Sequence, residues 1–253
     1  MSINNRTLLT YLNQLLKPEK IKDYCPNGLQ IEGTPEIRKI VTGVTACQAL
    51  IDRAVGLNAD AIFVHHGYFW RGENPCIIGM KRQRIKDLIN NDINLYGYHL
   101  PLDIHPELGN NAQLAKRLNI DVIGGLEQKN PQSVAMLGQF ETPLPLHELA
   151  INIETSLQRK PQIINAGDHN IKSIAWCTGG GQSYIEMAAE QGVDAFISGE
   201  ISEQTVHVAR EMGIHFIAAG HHATERYGAK AVGEYLARSF DIDVTFVDID
   251  NPV

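Results

Sequence analysis

The sequence predicts an α/β fold made of two structural repeats, and three observations carry that expectation. Short apolar, β-branched runs alternate with amphipathic stretches along the chain, the pattern of strands interleaved with helices. Residues 40–67 lie over residues 174–201 at one constant offset of 134, without a gap. Each of these stretches is followed by a further strand-like run and then by His-x-x-x-(Asp/Glu). Self-similarity of this kind marks a duplicated unit.

Taken in order, Leu8, Leu12, Leu15 and Leu16 suit one face of an amphipathic helix that stops near Pro18. Strands are predicted at 39–46, 60–66, 93–99, 133–140, 173–179, 194–200, 214–220 and 243–249. Helices are predicted between them at 47–57, 80–91, 110–118, 145–158, 182–191, 202–212 and 226–239. In the overlay Ile40 meets Ile174, Gln48 meets Gln182, Ile51 meets Ile185 and Ala54 meets Ala188, while "DAIFV" meets "DAFIS". His65 and His66 fall opposite Gly199 and Glu200. The first copy then carries extra residues, roughly "GYFWRGENPCII", and the offset drops to 122, which sets His99 on His221 and Asp103 on Glu225. The expected halves are 1–127, with His65, His66 and Asp103, and 128–253, with His221 and Glu225.

A chain of 253 residues with 43% hydrophobic and 20% charged residues is long and apolar enough to bury a core without disulfides. A net charge of −7 without a Lys/Arg-rich block argues against a nucleic-acid surface built on phosphate contacts. The four cysteines, Cys25, Cys47, Cys76 and Cys177, form no Cys-x-x-Cys pair, so neither a zinc ribbon nor a dithiol site is encoded. The start, "MSINNRTLLTYLNQLLKPEK", lacks the features of a signal peptide, and no apolar run approaches the ~20 residues of a membrane span. A cytoplasmic protein with no membrane partner is the expectation.

The candidate functional residues are His65, His66, His99, Asp103, His221, His222 and Glu225, all near the carboxyl ends of predicted strands, where open α/β sheets place their binding crevices. Neighbours in an extended strand point to opposite faces, so His65 and His66 chelate one ion with difficulty. If the strand has ended and the chain is turning, both face a pocket from different directions and suit one ion each. In "YHLPLD", Pro101 removes a backbone donor and suits an extended or turned loop presenting Asp103. Gly220 ends a strand, a helix is expected to begin near Thr224, and His221 and Glu225 share a face if that turn is helical. A carboxylate bridges two cations more readily than an imidazole does, which favours Glu225 as a shared ligand and leaves His222 pointing away. One catalytic tetrahedral ion takes three protein ligands, so five strong candidates suit two ions. "TGGGQS" at 178–183 lies between a strand and a helix and reads either as a tight turn or as backbone amides near an anion.

Four stretches, "YCPNGLQIEG", "VHHGYFWRG", "YHLPLDIHPELGNNAQLA" and "GHHATERYG", resemble the ring-shaped dinuclear-metal proteins known as GTP cyclohydrolase I type 2 homologues, or NGG-interacting-factor-like proteins, in their short bacterial form. The resemblance covers essentially the whole chain. It implies two intertwined α/β repeats with mixed sheets, a metal site between them, and a homohexameric ring. It implies two divalent ions per subunit on His65, His66, Asp103, His221 and Glu225, with His65 and His221 on one ion, His66 and Asp103 on the other, and Glu225 shared. Three imidazoles and two carboxylates without a thiolate suit zinc, iron or manganese. The implied activity is metal-dependent hydrolysis of a small molecule, water attacking an amidine-like carbon of the GTP purine ring. His99 would then relay protons or orient Asp103. A reading from another class is a non-catalytic, metal-stabilised ring that scaffolds protein or nucleic-acid partners.

Overall fold

The computed structural model describes residues 1–253. In chain order the first elements are β1 (Ile3–Asn4), α1 (Asn5–Leu16), β2 (Gly28–Ile31), β3 (Glu36–Ile37), β4 (Lys39–Thr45), α2 (Gln48–Gly56), β5 (Ala61–His66), α3 (Gly79–Asn90), β6 (Asn94–Gly97) and α4 (Leu100–Ile104). There follow α5 (Asn110–Leu118), β7 (Asp121–Gly125), β8 (Met136–Leu144), α6 (Leu146–Leu157), β9 (Gln162–Ile164), β10 (Ile171–Cys177) and α7 (Ile185–Glu190). The chain closes with β11 (Ala195–Ser198), α8 (Glu203–Met212), β12 (His215–Ala218), α9 (His221–Phe240) and β13 (Asp243–Phe246). The fold is α/β with mixed sheets, and no helix is long and apolar enough to cross a membrane.

Local chemistry sets the helix ends. Asn4 caps α1 by accepting from the Arg6 amide, and Lys17 closes it in the left-handed region just before Pro18. Ser202 and Thr205 form a reciprocal capping box on α8, which ends at Gly213 with φ 71°. Pro101, read from the sequence as holding an extended or turned loop, lies instead in the first turn of α4. A proline there loses no intrahelical hydrogen bond, because the first amides of a helix have no partner in it. Helix α9 likewise starts at His221, several residues before its expected beginning.

The chain divides into two compact units: Met1–Gly109 with Gly228–Asp250, and Asn110–Tyr227 with Asn251–Val253. These are not the halves 1–127 and 128–253. Strand β7 belongs to the second sheet and β13 to the first, so each half lends a segment to the unit formed mainly by the other. The first unit holds the sheet β13-β4-β5-β6-β2, parallel except for β2. Its strands are covered by residues such as Leu8, Leu12, Phe63, Tyr96 and Leu236 on one side, and Leu50, Ile51, Val64 and Leu88 on the other. The second unit holds β7-β8-β10-β11-β12-β9, with β10, β11 and β12 parallel. Trp176 and Ile197 anchor one of its cores, Phe196 and Phe216 the other. Burial on both faces explains why β5 and β11 read as continuous apolar runs.

The repeat survives in atomic detail. Ile40 lies opposite Ala61 and Ile174 opposite Ala195, which is the offset of 134. Asp60 Oδ2 accepts from the amides of Arg38 and Lys39, and Asp194 Oδ2 does the same for Lys172 and Ser173. The third parallel strand departs from the expectation by one residue. Ala61 faces Asn94 and Ala195 faces His215, an offset of 121 rather than 122. In strand register His99 therefore corresponds to Gly220, and the match of His99 with His221 aligns residue types across a one-residue step. The ladder of backbone hydrogen bonds fixes the register, and similarity of side chains does not.

Candidate metal centre

In the first unit β5 ends on His65 and His66, both still within the strand. Their rings do not diverge to opposite faces; the centroids lie 4.4 Å apart with a 41° tilt. The neighbouring strands steer them. His65 Nδ1 lies 3.1 Å from the carbonyl oxygen of Tyr98, just past β6, and His66 Nδ1 lies 3.1 Å from Thr45 Oγ1, at the end of β4. A carbonyl only accepts, so His65 carries its proton on Nδ1 and presents the Nε2 lone pair. That lone pair faces Asp103 Oδ1 at 3.5 Å, and both side chains are buried. Two acceptor atoms facing each other inside a protein need a proton or a cation between them.

His99 adds a third ring, its centroid 5.0 Å from that of His65. One ring nitrogen from each of His65, His66 and His99 comes within 4.8 Å of the others, close enough that the three could hold an ion. Asp23, which sequence reasoning missed, holds His99: Oδ1 accepts from His99 Nδ1 at 2.9 Å, and Oδ2 accepts from the Leu100 amide at 2.9 Å and from Asn27 Nδ2 at 3.0 Å. Asn27 Oδ1 in turn accepts from the His99 amide at 2.7 Å. Burial works to raise the Asp23 pKa, but hydrogen bonds from His99, Asn27 and the Tyr24 amide override it and hold the carboxyl at about 2. Tyr24 and Trp70 set their rings edge-on to His99, each 4.9 Å away. Of the inserted aromatics, Trp70 thus walls the histidines, whereas Tyr68 is buried and donates to the Ala46 carbonyl. Nearby Cys25 has its thiol pushed up to about 12 by burial and by Asp23.

In the second unit His221 opens α9 and Glu225 follows one turn later. His221 Nε2 lies 3.1 Å from Glu225 Oε2, and its Nδ1 lies 2.7 Å from Glu200 Oε1. Burial alone would lower the His221 pKa, but the carboxylates of Glu225 and Glu200 raise it to about 9. Glu200, the counterpart of His66, therefore aims the imidazole of His221. The glycine run makes space. Gly179, with φ 65°, lies under Glu225, and a methyl group there would overlap the Glu225 carboxylate and reach His221 Nε2. The Gly179 amide is held by Thr224 Oγ1 and the Gly181 amide by Ser198 Oγ, so these two amides of the turn face protein acceptors. The His222 amide donates to the Val253 carbonyl.

The family description "Duf34/NIF3 (NGG1p interacting factor 3)" matches residues 3–252. The chain belongs to the DUF34/NIF3 family. Relatives called GTP cyclohydrolase 1 type 2 homolog include one from Vibrio cholerae serotype O1, 62% identical over 253 residues, covering 99% of this chain and 100% of the relative. One from Pseudomonas aeruginosa is 55% identical and covers 100% of both. The solved structure of protein ybgI, described as of unknown function, superposes with a TM-score of 0.96 at 57% identity, covering 99% of this chain and 100% of that one. For a DUF34/NIF3 chain the fit to metal is then a question of donors. His65 and His221 each have Nδ1 committed to an oxygen that only accepts, and each turns Nε2 toward a carboxylate. That is the arrangement in which histidine ligates metal.

Proposed function

We propose that this DUF34/NIF3 protein is a dinuclear metal-dependent hydrolase acting on a nucleotide-type ring, its ligands being His65, His66, Asp103, His221 and Glu225. The observation that carries the reading is the pair of imidazole–carboxylate approaches onto buried carboxylates, His65 with Asp103 at 3.5 Å and His221 with Glu225 at 3.1 Å. Ligand atoms about 2.0–2.2 Å from one tetrahedral ion lie roughly 3.4 Å from each other. Those approaches favour His65 and Asp103 on one ion, which leaves His66 and His221 for the other. This differs from the pairing implied by the family resemblance, His65 with His221 and His66 with Asp103. Glu225, with two oxygens, is the shared ligand. Zinc, iron and manganese all accept this donor set.

Bound divalent ions would lower the pKa of water and polarise an electrophile. The chain supplies the rest. Asp23 fixes His99 with Nδ1–H donated inward, which leaves Nε2 to take a proton and return it. Tyr24 and Trp70 flank that ring and restrict water around it. The name carried by the relatives directs the substrate reading to GTP, and the ring-shaped homohexamer belongs to the same proposal. The test is elemental analysis of protein from its native host, light-scattering mass against multiples of 28.0 kDa, and chromatography of GTP incubated with metal-loaded protein. Two ions per chain with GTP consumed supports the hydrolase. Two ions per chain with no turnover of any nucleotide leaves the scaffold reading in its place.

A further inference from the structure

The two repeats build the segment before their outer antiparallel strand differently. In the first unit the residues leading into β2 supply Asp23, which grips His99. In the second unit the residues leading into β9 supply Arg159. Strand β9 runs antiparallel to β12 with Gln162 opposite Ala218, and continuing that register brings Arg159 level with His221. Gly220 stands where the first repeat has His99. Its φ of 101° already demands glycine, and a methyl group there would overlap Nε, Cδ and Cζ of Arg159. The guanidinium thus lies against the backbone that precedes His221. Arg159 forms no hydrogen bond or ion pair within the chain, and its Nε is buried. The carboxylates of this corner, Glu200 and Glu225, both sit on His221. A guanidinium is always charged and carries five donors in a planar fork matched to oxyanions. Left without an acceptor beside a sheet's carboxyl end, where α/β folds bind ligands, it calls for an anion.

We propose that Arg159 is the anion-recognition residue of the second unit and binds a phosphate oxygen of the nucleotide-type substrate, an inference that rests on the hydrolase reading. The experiment is calorimetric titration of metal-loaded, full-length protein with inorganic pyrophosphate, GTP and guanosine, for wild type, Arg159→Gln and Arg159→Lys, with metal content measured on each. Loss of a charge-assisted hydrogen bond predicts about 10- to 100-fold weaker GTP and pyrophosphate binding in Arg159→Gln. Arg159→Lys should fall between, and guanosine affinity and metal content should stay unchanged. Equal affinity of wild type and Arg159→Gln for GTP overturns the proposal, as does an equal loss for guanosine, which would mark a structural role. Pyrophosphate binding without GTP binding overturns the nucleotide assignment. Should Arg159→Gln fail to fold, a GTP affinity of Arg159→Lys equal to wild type overturns it. Absent metal in wild type, with Arg159-dependent pyrophosphate binding intact, sinks the hydrolase reading alone.

Discussion

At the carboxyl ends of their parallel strands the two units diverge from a common plan in opposite directions. The first unit places Thr45, His65 and His99 there, and the second unit places Gly179, Gly199 and Gly220 at the corresponding positions. Where the first projects side chains from the sheet, the second removes them, and α9 comes in close. A methyl group on Gly199 would meet His221 Cα and the Gly179 carbonyl oxygen at 2.6 and 2.7 Å. Duplication followed by opposite trimming gives two half-sets with different construction: strand-borne histidines in one, and a helix-borne His/Glu pair seated on glycine in the other.

Four experiments break or sharpen that comparison, in decreasing order of expected effect. On the proposed dinuclear centre, Glu225→Ala should lose both ions per chain, because a shared ligand would serve each, whereas Asp103→Ala should lose one. Equal losses by elemental analysis would show that the two halves carry equal weight and that Glu225 does not bridge. Gly199→Ala should lower unfolding stability by about 2–4 kcal/mol through backbone overlap, while Gly124→Ala, with open space around it, should stay within about 0.5 kcal/mol. Denaturant midpoints of the two variants make that comparison. If Gly199→Ala melts like wild type, close approach of α9 is not what the glycine provides.

The third experiment concerns acid. Asp23 titrates at about 2 in the folded protein against an ordinary 3.8, so its contribution to stability is complete above roughly pH 4 and disappears as pH falls toward 2. Asp23→Asn should flatten that part of the stability profile and shift the imidazole tautomer of His99 in nitrogen NMR, with metal content intact. A profile identical to wild type would remove Asp23 from its positioning role. The smallest effect lies at His215, counterpart of Asn94. Its Nδ1 accepts from the Ala166 amide and its Nε2 approaches the His169 carbonyl. Burial, with the nearby His169, holds its pKa below the usual histidine value against the hydrogen bond to the His169 carbonyl. The neutral form is favoured on folding, so stability should decline as pH drops below about 6.5. His215→Asn, which borrows the residue of the other unit, should lose that decline, as thermal melts between pH 5 and 8 would register.

Much of the fold was legible because eight strands repeat with strong apolar runs and each occurs in the structure. The strands that escaped, β1, β2, β3, β7 and β9, are short and lie at the edges of their sheets, where pairing rather than periodicity defines them. The candidate ligands were legible from their common position after strands. Asp23 was not, since its contact with His99 spans 76 residues and depends on the loop that leads into β2. The one-residue slip after β6 was hidden because two histidines offered a tempting alignment. Arg159 escaped for a related reason: its position next to His221 follows from antiparallel pairing alone.

The exchange of segments between the halves has a consequence for how the protein is made. On the ribosome, β4 keeps one open edge until β13 has emerged, about two hundred residues later. The first sheet is therefore completed almost last, although most of it is synthesised first. A fragment ending near residue 127 would carry β7 without β8 and β4 without β13. Such fragments should recover structure only on mixing with the remainder, which makes split halves of this chain natural reagents for complementation.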